Sequence, residues 1–412
     1  MFDTQSESVP VVTSPVRAPH KLHRIWAIPL AVIGGVTIGA VLVAAVAPTK
    51  QYISKRDCVE VDADGACTKR GEPEKVEYAI TPASAEAVEP RLVIDGVQRY
   101  DTNGEVYFVT ITQPKLRLLD WLIVRKNPAS ELLSYRDVFG DSTPQEQRQR
   151  GFQSMRTAKE TAEFVALQKL GYPVELVPGD VIVEQLLCLK GNADNTECAE
   201  FSPADTVLDP GDKLLSVDGT PLSTIDDLRP LLKKYKPGDT VTIGFERDGE
   251  EMSGEVELIV SPDDPERTLV GFAAADTSTI KLPDDISVKI DTDGIGGPSA
   301  GLAFTMTLID ELSPGDLMGG GRVAITGTID INGNVGPIGG LTSKASAVKQ
   351  IGVKYFLVPT DQGERNIAEA RKVVGNDVEI IPVATVDEAL AALERIGGDK
   401  YVAPNLTDTP SA

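Results

Sequence analysis

The longest apolar run in the chain, residues 25–47, holds no charged side chain over 23 residues, enough at helical rise to cross a hydrocarbon core of about 30 Å. It predicts a transmembrane helix. Arg17, Lys21 and Arg24 precede the run with Trp26 at its edge, while Lys50, Lys55 and Arg56 follow it, and the leading cluster favours a cytoplasmic amino terminus. A signal peptide cut after Ala45-Val46-Ala47 is the competing reading. The length of the run and Pro48 directly behind it favour retention as an anchor, made irregular by Pro29 and several glycines.

Beyond the run the pattern changes four times. Residues 48–92 are charged or small and read as a stalk without a core. In 93–165, residues 106–112 are β-branched and aromatic enough for a strand and Leu118–Val124 reads as a second; 141–151 are polar and exposed. Residues 154–170 place Met155, Ala158, Ala162 and Val165 at helical spacing, with Ala166 and Leu170 widening the face. Residues 166–262 give short strands at Val181-Ile182-Val183, Lys213–Val217 and 241–245, with one helix over 224–234 that Pro230 kinks. Residues 263–398 alternate strands (Ser287–Ile290, 323–330, 354–358, 378–382) with helices (298–311, Leu341–Gln350, 364–373, 385–396). The fold class is therefore α+β with an α/β domain at its carboxyl end, and 399–412 form a disordered tail.

Composition narrows the chemistry. A net charge of −22 argues against nucleic acid, whose phosphates need clustered Lys and Arg. The two histidines, His20 and His23, both precede the apolar core of the first segment. A Ser-His-Asp or Cys-His enzyme, or a zinc hydrolase with histidine ligands, on its far side is excluded. No GxxxxGK[ST] occurs, so this chain brings no Walker-type ATPase. The four cysteines fall into local couples, Cys58 with Cys67 and Cys188 with Cys198, neither spaced as CxxC. Three pairings are possible, and proximity favours two short disulfide loops in an oxidising compartment.

Within 166–262, Ser202-Pro203-Ala204 leads to Pro210-Gly211-Asp212 and Val217-Asp218-Gly219, followed by Pro237-Gly238-Asp239. This block resembles a PDZ domain of the bacterial arrangement. The resemblance implies a groove between a strand and the helix that takes an extended carboxyl-terminal peptide by strand addition. It makes Leu170-Gly171-Tyr172 the candidate carboxylate loop and the Cys188 to Cys198 segment an insertion after the second strand.

Without an external histidine, a hydrolase here needs another base, and a lysine buried enough to be neutral is the candidate. Gly296-Gly297-Pro298-Ser299-Ala300-Gly301 sits between a strand and an apolar helix, which puts Ser299 at a helix amino terminus where free N–H groups can stabilise an oxyanion. Downstream come Thr326-Gly327-Thr328, then Gly339-Gly340-Leu341 and Lys344, 45 residues after Ser299. Over about 287–397 the chain resembles the proteolytic domain of the Lon family, whose serine lies in a PSAG turn and whose lysine follows a GGL turn. The resemblance implies Ser299 as nucleophile and Lys344 as base, Thr326 orienting the amine, and the N–H groups of Ser299 and Gly297 as the oxyanion hole, with no cofactor and no metal. Many ATP-dependent members carry an acid where this chain has Gly296; Asp291 and Asp293 are nearby substitutes, while Lys349 and Lys354 read as surface charges.

With an anchor and a PDZ-like block in place of an ATPase module, the whole resembles the membrane-anchored PDZ-containing Lon-like proteases. In that arrangement an inserted PDZ would leave 105–124 to supply strands to the protease fold. The expected activity is an ATP-independent serine endopeptidase acting on extracytoplasmic protein or peptide tails, as a homo-oligomeric ring. A catalytically inactive, membrane-tethered PDZ peptide-binding protein is the alternative; a solute-binding or structural envelope protein is a third.

Overall fold

The structure, a computed structural model, describes residues 23–56, 58–61, 67–140, 144–177, 179–191, 198–261, 268–283 and 285–406. Arg17, His20 and Lys21, and the tail from 407 on, lie outside the described residues. Helix α1 (His23–Val46) occupies the apolar run. Its side chains are described from Val32 onward, and among the described residues no helix is long and apolar enough to cross a membrane. Strands β1 (Cys58–Val61) and β2 (Cys67–Arg70) form a hairpin closed by the Cys58–Cys67 disulfide.

Residues 48–92 are not a coreless stalk. Strand β3 (Tyr78–Ala87) buries Tyr78, Ala79 and Ile80, and β4 (Leu92–Asp95) buries Leu92 and Ile94. Strand β5 (Glu105–Thr112) runs antiparallel to β3, with Ala87 opposite Tyr107. The second expected strand is instead helix α2 (Leu118–Val124). A seven-residue apolar run fits either state, and here the Asp120 carboxylate accepts from the Arg117 N–H at 3.0 Å, closing the first helical turn. Strand β6 (Glu131–Leu133) then pairs with the other edge of β3. Helix α3 (Pro144–Lys169) starts well before residue 154 and takes in most of the polar segment 141–151.

The next stretch is a module with its own core. Strand β7 (Glu175–Val177) leads to β8 (Val181–Leu186), the hairpin β9 (Cys188–Gly191) and β10 (Cys198–Phe201) with its Cys188–Cys198 disulfide, and β11 (Lys213–Val217). A 3-10 turn at Ile225–Asp227 precedes helix α4 (Leu228–Leu232), so Pro230 sits in a first turn, where its missing N–H costs nothing, and the expected kinked helix is two short pieces. Strands β12 (Thr240–Arg247), β13 (Glu250–Glu257) and β14 (Phe272–Asp276) complete a sheet of order β13-β12-β11-β8-β14. Strand β12 alternates, with Val241, Ile243 and Phe245 buried against Val183 and Leu214. The chain leaves through β15 (Thr279–Lys281), which pairs antiparallel with β7, Thr279 opposite Val177.

The α/β domain continues with β16 (Ser287–Ile290), α5 (Gly301–Leu312), β17 (Arg322–Ile325), β18 (Thr328–Ile329), β19 (Val335–Gly336), α6 (Leu341–Gln350), β20 (Tyr355–Pro359), α7 (Gly363–Val374), β21 (Glu379–Val383) and α8 (Val386–Arg395). Its sheet order is β21-β20-β17-β5-β3-β6, with the first four strands parallel. Helices α3, α5 and α8 cover one face and α6 and α7 the other; in β20, Leu357 enters the first core and Phe356 and Val358 the second. This is why β20 reads as an unbroken apolar run. Every residue of α5 is buried, and its Thr305 and Thr307 hydroxyls donate back to the carbonyls of Gly301 and Ala303 at 3.0 and 2.9 Å. Residues 399–406 are not disordered: Tyr401 donates to the Lys169 carbonyl at 2.8 Å and packs on the core.

Phe304, fully buried on α5 with its ring 5.8 Å from that of Phe108, tests this core. Phe304→Ala is expected to lower the unfolding free energy of the α/β domain by about 3–5 kcal/mol, read from its denaturant transition; a change under about 1 kcal/mol would refute the central placement of α5.

Candidate active site

The turn between β16 and α5 is held against the side of α3. The Gly297 N–H donates to the Gly151 carbonyl at 2.7 Å. A Cβ at Gly296 would lie 3.0 Å from the Gly151 carbonyl carbon and 3.2 Å from its oxygen, so a side chain there would push helix and turn apart by a few tenths of an ångström. Across the site, Gly340 takes the left-handed conformation (φ +66°) in front of α6, where a Cβ would press on Ile80 and Ile111. It fixes where α6 starts.

The first turn of α6 brings Lys344 to Ser299. The lysine Nζ lies 2.7 Å from Ser299 Oγ and 3.1 Å from Thr326 Oγ1. The Thr326 hydroxyl donates to the Ser299 carbonyl at 3.0 Å, which the Gly327 N–H also reaches at 2.9 Å. With its proton committed to that carbonyl, the Thr326 oxygen presents a lone pair to the amine. One N–H of Lys344 is thereby fixed, and the nitrogen lone pair of the neutral amine is left for the serine hydroxyl. Thr326 is itself tied to the sheet by its N–H to the Leu357 carbonyl at 3.0 Å. Lys344 is only 2% exposed, and burial brings its ammonium pKa down to about 7.

Other expected residues lie elsewhere. Gly297 cannot offer its N–H to an oxyanion while Gly151 holds it; among the described residues, the N–H groups of Ser299 and Ala300 have no partner. Leu170-Gly171-Tyr172 is not a loop of the small sheet: Leu170 is buried in the core with α5, Tyr172 packs on it, and the Tyr172 N–H caps α3 at the Leu167 carbonyl, 3.0 Å away. Gly171, at φ +88°, ends a helix. The Asp293 N–H bonds to Asp291 within their own turn at 2.9 Å, and neither side chain reaches the serine or the lysine. Lys349 pairs with Asp377 at 2.9 Å on the surface, and Lys354 is exposed. Two features escaped the sequence reading: Gly151, and Ser343, whose buried hydroxyl donates to the Ala129 carbonyl at 2.5 Å beside the lysine. A glycine inside a polar helical stretch was the available signal for the first; nothing local marks the second.

Residues 281–395 match the Lon protease (S16) C-terminal proteolytic domain, and residues 169–258 match the PDZ domain. The Lon protease of Metamycoplasma arthritidis is 40% identical over 92 residues, 22% of this chain and 11% of that protein. The Lon protease of Vibrio parahaemolyticus is 42% identical over 100 residues, 24% of this chain and 12% of that protein. The chain thus spans about a tenth of the length of these curated relatives. The PDZ domain of the SdrC-like protein from Listeria monocytogenes is 20% identical over 23% of this chain and 86% of that chain, at a TM-score of 0.18, too low to bear on the fold.

Gly296→Asp is expected to force α3 off the turn, lowering stability by about 1–3 kcal/mol and raising hydrogen exchange at the Gly297 amide; unchanged exchange would show that Gly151 does not hold it. The Lys344 amine is neutral in the folded chain above about pH 7 but protonated when unfolded up to its ordinary 10.5. The unfolded state then binds more protons, so stability should rise with pH between those values. Lys344→Met should remove this contribution, measured as the difference between the two stability-pH curves; parallel curves would refute the shift.

Proposed function

We propose that this chain is an ATP-independent serine endopeptidase in which Ser299 attacks the scissile carbonyl and Lys344 carries the proton. The observation that carries the reading is the 2.7 Å approach of a buried, near-neutral lysine to the hydroxyl of a serine at a helix start. The match to the Lon proteolytic domain supports peptide-bond chemistry. The Ser299 proton passes to Nζ as Oγ adds to the carbonyl, and the ammonium then returns it to the leaving amine. Water repeats the cycle on the acyl-enzyme. The unpartnered N–H groups of Ser299 and Ala300 are the donors available to the oxyanion, each worth roughly 3–4 kcal/mol when well aimed.

The PDZ-like module selects or positions the substrate. An extended peptide tail would add along β14, the edge strand, beside the Ile225–Asp227 turn. Two polar contacts support its coupling to the α/β domain: Arg150 of α3 donates to Gln185 of β8 at 2.6 Å, and Arg229 of α4 lies 4.0 Å from Asp361. Helix α1 anchors the chain in the membrane with its amino terminus cytoplasmic and the catalytic domain outside. Supporting this are the uncharged run and the exposure of Val32, Ile33, Val36, Ile38, Leu42 and Val46 along α1, and the two disulfides, which belong to an oxidising compartment. Substrates are then extracytoplasmic proteins with extended tails.

The test is degradation of unfolded casein by the full chain in detergent without ATP. Ser299→Ala and Lys344→Ala should each abolish turnover, a loss of about 100-fold or more; turnover surviving both sinks the dyad, and an inert wild type favours the peptide-binding alternative. Thr326→Val should lower kcat by up to about 100-fold with KM little changed. In wild type, kcat/KM should climb on an acid limb centred near pH 7 as Lys344 loses its proton; a flat profile from pH 5 to 9 would exclude this base.

A further inference from the structure

Helix α2 is apolar, short and only partly covered. None of its seven residues is buried. Val124 turns towards Val76, Ala79 and Leu116, while Leu122 and Ile123 stand 44% and 69% exposed and Trp121 is half-buried. The helix is fastened to the end of α1: the Leu118 N–H donates to the Ala47 carbonyl at 3.0 Å, Arg117 reaches the Val46 carbonyl at 3.2 Å, and the Thr49 hydroxyl reaches Leu116 at 3.1 Å. Tyr52, just past α1, is 62% exposed.

Charge distinguishes the occupant. In a chain of net charge −22, the segment 115–126 carries Lys115, Arg117, Arg125 and Lys126 against Asp120, and Lys50 and Arg56 follow shortly after the end of α1. Asp120 is used in closing the helix, and Lys50 and Lys115 flank Glu77 at 3.7 and 3.8 Å. The Arg125 guanidinium lies over Trp121 at 4.3 Å. Aromatic and aliphatic side chains ringed by Lys and Arg, at the point where an anchor helix stops, match the headgroup layer of a bilayer: the rings and aliphatics favour the interface and the cations favour its phosphates. A protein partner would explain the apolar side chains but not the basic collar beside α1.

We propose that α2 is a membrane-surface helix. Trp121, Leu122 and Ile123 enter the headgroup region of the leaflet from which α1 emerges, and Arg117, Arg125 and Lys126 bind anionic lipid phosphates there. The proposal rests on the reading of α1 as an anchor. It gives the protease domain a second point of attachment, so that the domain is held in one orientation on the membrane instead of swivelling on α1. The chain runs from α2 through residues 125–128 to Ala129, the acceptor of the Ser343 hydroxyl, so the attached face lies close in sequence to the support of the lysine helix.

The sequence has two tryptophans, so the full chain with Trp26→Phe reports on Trp121 alone. It is reconstituted in phosphatidylcholine vesicles with and without phosphatidylglycerol, containing lipid brominated high on the acyl chain. Trp121 emission should shift to the blue and lose at least half its intensity to bromolipid when phosphatidylglycerol is present. Arg117→Glu/Arg125→Glu/Lys126→Glu should lose most of that quenching while keeping its circular-dichroism spectrum and still floating with the vesicles. A chain that floats with Trp121 red-shifted and unquenched overturns the proposal and leaves the anchor standing. Blue emission without quenching overturns it too, because a protein surface, such as a second copy, then covers α2. A chain that does not float removes the anchor and the proposal together.

Discussion

A lysine ammonium placed inside a protein has lost its water and must find a carboxylate or give up its proton. Among the described residues, Lys344 has no carboxylate partner. Around its nitrogen stand two hydroxyls, of Ser299 and Thr326, and a shift from 10.5 to about 7 corresponds to roughly 5 kcal/mol of disfavoured charge. The rest of the α/β domain can be understood as what makes this burial affordable. Helix α6 has to start at one residue, hence the left-handed Gly340. Thr326 has to face the amine, hence its backbone tie to β20, and the serine turn has to be clamped, hence its contact with α3.

The pairing of Ser299 with Lys344 was legible in the sequence because each lies in a local motif. Ser299 sits in a turn with few conformational solutions, and Lys344 follows another; spacing and helix-start geometry say where both point once the intervening strand is identified. The positions of α5, α6, α7 and α8 followed from the alternation of strand-like and helix-like segments along 263–398. What failed was of a different kind. Strand β3, Tyr-Ala-Ile-Thr-Pro-Ala-Ser-Ala-Glu-Ala, has neither alternation nor bulk, and becomes a strand because β5 and β6 lie on its two sides. Such an element is specified by its neighbours and not by its own residues.

The remaining misreadings have the same cause. Leu118–Val124 is apolar enough for a strand, and only the Asp120 carboxylate at its first turn decides for helix. Gly171 looked like part of a binding loop because a glycine with φ > 0 serves loops and helix ends alike. Gly297 looked like an oxyanion donor until the Gly151 carbonyl, more than a hundred residues away in sequence, was found on its N–H. Apart from the glycine itself, nothing in composition or spacing points to the partner in such a long-range backbone contact.

The paired strands β7 and β15 carry both covalent crossings between the α/β domain and the small module, and Val177 and Thr279 are opposite each other in that ladder. An insertion whose two ends are already neighbours asks nothing of its host beyond a short gap between adjacent strands. Over evolutionary time, any compact domain with close termini could be exchanged at this port without disturbing Ser299 or Lys344. What the proposed peptidase is sent to cut could then change by recombination, while its serine-lysine pair stays fixed.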